Sequence, residues 1–142
     1  MIFGSSALEL KVNNDIKMSN LIIDATRDKI ILVFIVGKNN YTCSHENSKI
    51  NFEKLMILID EFLKINKRSL SDIETIYVNR GPGSYAGIRN SLSTVKALFL
   101  TKKIDYFCFS FDDFERSETT KYVDVPELCE RYKIKKNLIN PI

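Results

Sequence analysis

At 142 residues, 44% hydrophobic and 27% charged, the chain is long enough to bury one core and too ordinary in composition to be disordered or collagenous. Its net charge of +3 is too small to argue for nucleic acid, and the longest apolar run, Ile30 to Val36, is strand-sized, far short of the roughly 18–20 residues of a membrane span. Three cysteines (Cys43, Cys108, Cys129), far apart and without a C-x-x-C, exclude a disulfide framework and a zinc ribbon and point to a reducing compartment, while the sole histidine, His45, excludes a two-histidine metal site.

Residues 1–17 read unlike the rest: a Gly4-Ser5-Ser6 turn, a short amphipathic piece and Asn13-Asn14-Asp15 precede a second methionine, Met18. With no positively charged start and no long apolar stretch this is not a secretory signal, and the expectation is an added leader or an over-extended start. Leu21-Ile22-Ile23, closed by Asp24-Ala25-Thr26, reads as a buried strand. Lys29 to Val36 is β-branched and aromatic, Gly37 to Asn40 supplies a turn, and Tyr41 to His45 gives a third strand antiparallel to the second.

Asn51 to Asn66 is the clearest helix. Phe52, Leu55, Met56, Ile59, Phe62 and Leu63 share one stripe, and Leu58 and Ile65 widen it beyond what one sheet face needs. After a turn at Ser69 to Asp72, Thr75 to Asn79 is a fourth strand. Tyr85 to Leu100 is a second helix, with Tyr85, Ile88, Leu92, Val95 and Phe99 on one face. Tyr106 to Ser110 is a fifth strand, followed by a helical turn at Phe111 to Phe114. Residues 115–142 are polar apart from an amphipathic stretch, Pro126 to Tyr132, and too few for a core of their own. The order βββαβαβ predicts an α/β domain over residues 18–114, with one mixed five-stranded sheet, and residues 115–142 as a remnant tail.

The most informative segment is Arg80-Gly81-Pro82-Gly83-Ser84-Tyr85-Ala86-Gly87-Ile88-Arg89. It is a strand-to-helix turn in which glycines open unusual dihedrals, Pro82 fixes the bend and Ser84 caps the helix. The glycine spacing fits neither a Walker A loop nor a dinucleotide fingerprint. A tight structural turn outranks a phosphate cradle, although amides at a helix start can hold an anion.

This stretch resembles the G-P-G-S-[FY]-T-G-[IL]-R signature of the TsaB (YeaZ) family, with Ala86 in place of the motif threonine. Leu21 to Thr26 resembles that family's opening strand, Leu55 to Leu63 its first helix, Leu70 to Ile73 its L-S-D turn, and Ser91 to Leu98 its second helix. The resemblance spans Leu21 to Phe114 in the correct order. It implies a single actin-like (ASKHA, ribonuclease H-like) domain, with the family's second domain almost wholly absent from the sequence.

It further implies a cytoplasmic, non-catalytic subunit, with neither cofactor nor metal. Such a subunit binds a TsaD-type enzyme, works with a TsaE-type ATPase, and touches tRNA only indirectly during threonylcarbamoylation of adenosine. The partner interface implied is a half-bundle of Leu55, Leu58, Ile59, Phe62 and Ile65 from the first helix with Tyr85, Gly87, Ile88, Ser91, Thr94 and Leu98 from the second. Small residues at 87, 91 and 94 would let another helix approach. Apolar surface left on these helices predicts a homodimer when the chain is isolated. Two other readings compete: a stand-alone actin-like ATPase or phosphotransferase, which needs two domains closing on a nucleotide, and a degenerate inactive fragment.

Individual residues are read conservatively. Asp24 is expected to cap its turn and not to hold a metal–nucleotide. His45 is expected to be an exposed strand-end residue. Cys43 and Cys108 read as small buried hydrophobes and Cys129 as an exposed thiol. Arg89, Lys96, Lys102 and Lys103 fit tRNA phosphates and a solvated helix end equally well.

Overall fold

The computed structural model describes residues 19–118 and 121–139; the leader expected over residues 1–17 lies outside them. Five strands form one mixed sheet: β1 (Ser19–Asp24), β2 (Lys29–Val36), β3 (Asn39–Glu46), β4 (Thr75–Asn79) and β5 (Asp105–Phe109), in the order β3-β2-β1-β4-β5. The first three strands are an antiparallel meander, as two short turns require. The β1–β4 and β4–β5 pairs are parallel, because a helical crossover intervenes each time.

The apolar runs divide by residue parity. Leu21, Ile23, Ile30, Leu32, Phe34, Ile76, Val78, Tyr106 and Cys108 face one side, whereas Ile22, Val33, Tyr77 and Phe109 face the other. A strand buried on both faces has no need of polar alternation, which is why β1 and β2 read as continuous apolar runs.

The first face is covered by α1 (Lys49–Glu53), α2 (Leu55–Ile65) and α3 (Tyr85–Lys102). The single helix expected from Asn51 to Asn66 is thus two, divided at Lys54. The shorter α1 buries nothing fully and leans on the start of α3, while α2 drives Leu55, Leu58, Ile59, Phe62 and Leu63 into the core. Each such side chain contributes about 1.5–3 kcal/mol.

The second face is covered by the C-terminal segment. Phe114 shares its cluster with Val125, Leu128 and Cys129, the last three from α4 (Val125–Arg131). Residues 122–139 therefore pack on the domain they follow. Cys129, expected to be exposed, is buried, since α4 turns it toward Tyr77 and Phe109. Burial pushes its thiol up to about 12, with the Asp113 charge adding to the shift. Cys43 is half-buried, and His45, expected to be exposed, is half-buried as well, its Nε2 lying 3.8 Å from the Cys43 Sγ. Beyond α4 the chain rounds the β5 edge. Lys136 bridges Phe107, the Asn137 amide donates to the Tyr106 carbonyl at 2.7 Å, and Ile139 joins the helix-side cluster.

Candidate functional site

The carboxyl ends of β1 and β4 lie side by side, so parallel pairing brings Asp24 beside Asn79. Asp24 is buried and accepts four hydrogen bonds. Its Oδ1 takes the Thr26 amide at 2.9 Å and the Thr26 hydroxyl at 2.6 Å; its Oδ2 takes Asn79 Nδ2 at 3.1 Å and the Tyr122 hydroxyl at 2.6 Å. Burial pushes the Tyr122 phenol above its ordinary range, and its bond to Asp24 adds to that. Asn79 in turn accepts the Gly81 amide at 2.9 Å through Oδ1.

The turn at residues 80–84 is held from several directions. Arg80 pairs with Asp113 on the turn after β5, and its amide donates to the Phe109 carbonyl at 2.7 Å. The Gly81–Pro82 peptide is cis, and Gly81 has a φ of 107° that other residues resist. The Ser84 amide donates to the Thr26 carbonyl at 2.7 Å, and the Ser84 hydroxyl caps α3 by accepting the Gly87 amide at 3.2 Å.

Gly83 and Gly87 are there for space. A Cβ at Gly83 would lie 2.1 Å from the Thr26 carbonyl oxygen, and one at Gly87 would lie 2.0 Å from that of Ala25. The amides of Gly81, Ser84 and Gly87 are all consumed internally, which favours the structural turn over the phosphate cradle. A cavity of about 350 Å³ opens beside this network between Asp24, Arg27, Asn79, Gly81, Ser110 and Tyr122.

The structure divides the expected interface residues between the two sides of α3. Gly87, Ser91 and Leu98 are buried, with Thr94 half-buried, on the side that meets the core and the other helices. Leu55, Leu58, Ile59 and Phe62 of α2 are likewise buried. Their apolar surface is thus spent inside the domain, and the expectation that Leu58 and the Gly87–Leu98 row leave it exposed is corrected: those side chains point at the domain's own sheet and helices. Ile65 is 80% exposed and Tyr85 77% exposed.

On the open side of α3 a groove of about 720 Å³ runs from Arg80, Pro82, Gly83 and Tyr85 past Ile88, Arg89 and Leu92 to Ser93, Lys96, Ala97, Leu100 and Ile139. Sequence reasoning named Arg80, Pro82, Gly83, Tyr85, Ile88, Arg89, Leu92 and Lys96 of this groove but missed Leu100 and Ala97, although both lie on one helical surface with Arg89, Ser93 and Lys96. It also missed Asn79, Asp113 and Tyr122 around the turn. No three metal-ligating side chains gather among the described residues, and no described helix is long and apolar enough to cross a membrane.

A family model described as "TsaD: tRNA N6-adenosine threonylcarbamoyltransferase" matches residues 45–109. The chain is 34% identical over 83 residues to the tRNA threonylcarbamoyladenosine biosynthesis protein TsaB of Buchnera aphidicola subsp. Baizongia pistaciae, a match covering 51% of this chain and 38% of that protein. It is 30% identical over 95 residues to TsaB of Buchnera aphidicola subsp. Schizaphis graminum, covering 66% of this chain and 45% of that protein. These matches support the TsaB (YeaZ) family as the one that this chain resembles.

Among solved structures, YeaZ from Pseudomonas aeruginosa superposes with a TM-score of 0.59 at 17% identity, over 65% of this chain and 43% of that one. A second structure from the same organism, titled as an uncharacterized protein with similarity to peptidase YEAZ, superposes equally well. These likenesses carry the fold, which is the mixed, helix-covered sheet of the actin-like class. The chain spans less than half the length of the curated TsaB relatives that it matches.

Proposed function

We propose that this chain serves tRNA threonylcarbamoyladenosine biosynthesis as a non-catalytic cytoplasmic subunit that binds a TsaD-type enzyme and works alongside a TsaE-type ATPase. The observation that carries this reading is the use of the Gly-Pro-Gly turn. Its amides and side chains are engaged in fixing the start of α3 against Ala25 and Thr26, so the motif positions a helix whose opposite side is an open apolar groove. A turn built to hold a helix suits assembly better than chemistry. Asp24, where a metal–nucleotide would have to dock, already has both oxygens engaged by Thr26, Asn79 and Tyr122.

The test is reconstitution. Co-expression with the TsaD-type protein of the same cell should give a complex that survives gel filtration. In a strain depleted of its own TsaB-type protein, the chain should restore modified adenosine in tRNA, read by mass spectrometry of nucleosides. Tight ATP binding with turnover by the chain alone, and no TsaD complex, would replace this reading with that of a stand-alone ATPase.

A further inference from the structure

The two edges of the sheet are treated differently. The β5 edge is capped by the Lys136 bridge and the Asn137 amide, whereas β3 is an edge strand with no such cover among the described residues. Edge strands are commonly blunted by a proline, a bulge or an inward charge. Strand β3 has no proline, its register with β2 is unbroken from Val36–Asn39 to Lys29–Glu46, and its one carboxylate, Glu46, stands at the last position. Gly37-Lys38 is a two-residue turn with Gly37 at a φ of 57°, and such a turn closes on a hydrogen-bonded pair, here Val36 with Asn39. Alternation from that pair sends the amides and carbonyls of Asn40, Thr42 and Ser44 outward. The strand's end keeps the same alternation: the Glu46 carbonyl accepts Asn51 Nδ2 at 2.7 Å, and the Asn47 amide returns to the Asp28 carbonyl at 3.1 Å.

We infer that β3 pairs with β3 of a second copy, antiparallel about a two-fold axis at Thr42, so that two five-stranded sheets become one. An axis perpendicular to the sheet sets residues of the same face opposite each other. Centred on Thr42, it places Thr42 against Thr42, Asn40 against Ser44 of the other copy, and Lys38 against Glu46 of the other copy. Hydroxyl, hydrogen-bonding and opposite-charge pairs of this kind stabilise a sheet. Lys38 and Glu46 are exposed, and neither forms an ion pair among the described residues; the two-fold supplies one to each. Other registers lose this match. Centred on Ser44, Lys38 and Asn40 run past the end of the other strand; centred on Asn40, Ser44 and Glu46 run past its turn. A second copy fits better than an unrelated extended peptide, because the charge at each end of the strand complements the opposite end. The pairing uses neither α2 nor α3, so it differs from the helix-mediated homodimer expected from the sequence and stands apart from the function proposed above.

Charge reversal tests the contact and its register together. By sedimentation at low salt, K38E and E46K should each self-associate at least tenfold more weakly than the wild type, since each sets two like-charge pairs across the axis. An equimolar mixture of the two should recover the wild-type affinity to within threefold, because both pairs are then opposite in sign. Cross-linking gives a second measurement. In a Cys43→Ala background under a mild oxidant, Thr42→Cys should form a disulfide-linked dimer, since directly opposed residues of a hydrogen-bonded pair stand about 5.5 Å apart between Cα atoms, within reach of a disulfide. Asn40→Cys and Ser44→Cys should link to each other and not to themselves.

A wild-type chain that stays monomeric at millimolar concentration overturns the inference, whether or not an extended peptide binds at this edge. A dimer that neither charge variant weakens, or whose weakened variants recover nothing on mixing, overturns it too, because the contact then lies elsewhere, as on the helices. Self-linking by Asn40→Cys as strong as its linking to Ser44→Cys would refute the Thr42 register.

Discussion

Helix α3 has two sides that differ in what they touch and therefore in what they tolerate. Its inner side carries Gly87, Ser91 and Leu98 and is pressed so closely on the β1–β2 turn that no Cβ fits at Gly87. Its outer side carries Tyr85, Arg89, Lys96 and Leu100 and opens on a groove. Small residues at helical spacing mark close approach, but they do not say to what. Here they serve the domain's own packing, and the capacity to meet another molecule lies with the larger residues on the far side.

The sharpest way to break that contrast is to add volume on the inner side. Gly87→Val and Gly83→Val each drive a β-branched side chain into a backbone carbonyl that is part of a hydrogen-bonded turn and cannot swing aside. A destabilisation of at least ~3 kcal/mol is expected for each, at the upper end for overpacking. Urea denaturation of soluble variants measures it, and insolubility at 37 °C would be the extreme form of the same result. A Gly83→Val chain that is stable, binds the TsaD-type protein fully and yet gives no modified tRNA would show instead that the turn acts in chemistry.

A smaller loss is expected where the end of β1 is latched to the C-terminal segment. Asp24→Ala strands the donors of Thr26, Asn79 and Tyr122 and should cost about 3 kcal/mol; Tyr122→Phe removes one bond to a carboxylate and should cost about 1.5–2 kcal/mol. In a double-mutant cycle the two losses should fall short of additive, because the Tyr122 hydroxyl has nothing left to donate to once Asp24 is gone. Full additivity would mean that the latch is not a coupled unit.

That latch also shows what the sequence could and could not reveal. The strands were legible because β-branched runs such as Lys29 to Val36 are bounded by turn residues, and α3 because the Gly-Pro-Gly-Ser turn announces a helix start. The Gly83 and Gly87 contacts were foreseeable as close approach, but their target, the Ala25 and Thr26 backbone, depends on β1 and β4 being neighbours. Tyr122 lies 98 residues from Asp24 in a polar stretch that carries no local periodicity, so nothing nearby in sequence pointed to it. Cys129 lies in the amphipathic stretch Pro126 to Tyr132 and was still misjudged, because its burial depends on the second sheet face of Ile22, Val33, Tyr77 and Phe109 being left for the tail to cover.

Alkali should destabilise the fold, with the second face contributing through Cys129 and the helix-side face through the half-buried Cys43, whose thiol is pushed up to about 11 by burial. Burial raises the Cys129 thiol from 9.0 to about 12, so above pH 9 the unfolded chain releases a proton that the folded chain keeps. Stability is therefore full below about pH 9 and is lost as pH rises toward 12. Between pH 8 and 10 this one group should remove about 1.4 kcal/mol. Tyr77 and Tyr122, both raised chiefly by burial, add losses of the same sign above pH 10. Urea midpoints across that range check it, and Cys129→Ala should flatten the early part of the slope. A slope unchanged by Cys129→Ala would place the alkaline loss elsewhere.

The smallest effect on stability belongs to the outer side, and it separates a docking surface from an ordinary exposed residue. Leu100 is 65% exposed and gains little from folding, so Leu100→Ser should move the unfolding free energy by less than ~0.5 kcal/mol. An exposed leucine at the end of a groove is covered when a helix lies there, and replacing it by a polar residue should then weaken the complex with the TsaD-type protein about fivefold, through faster dissociation. Thr101→Ser, one position along the same helix, keeps the hydroxyl that bonds to the Ala97 carbonyl and lies outside the groove, so it should change neither quantity. Calorimetric melting and surface-plasmon kinetics on the two variants give the comparison directly. Equal binding by Leu100→Ser and the wild type would confine any docking to the Tyr85 end, where the motif turn hands over to the helix.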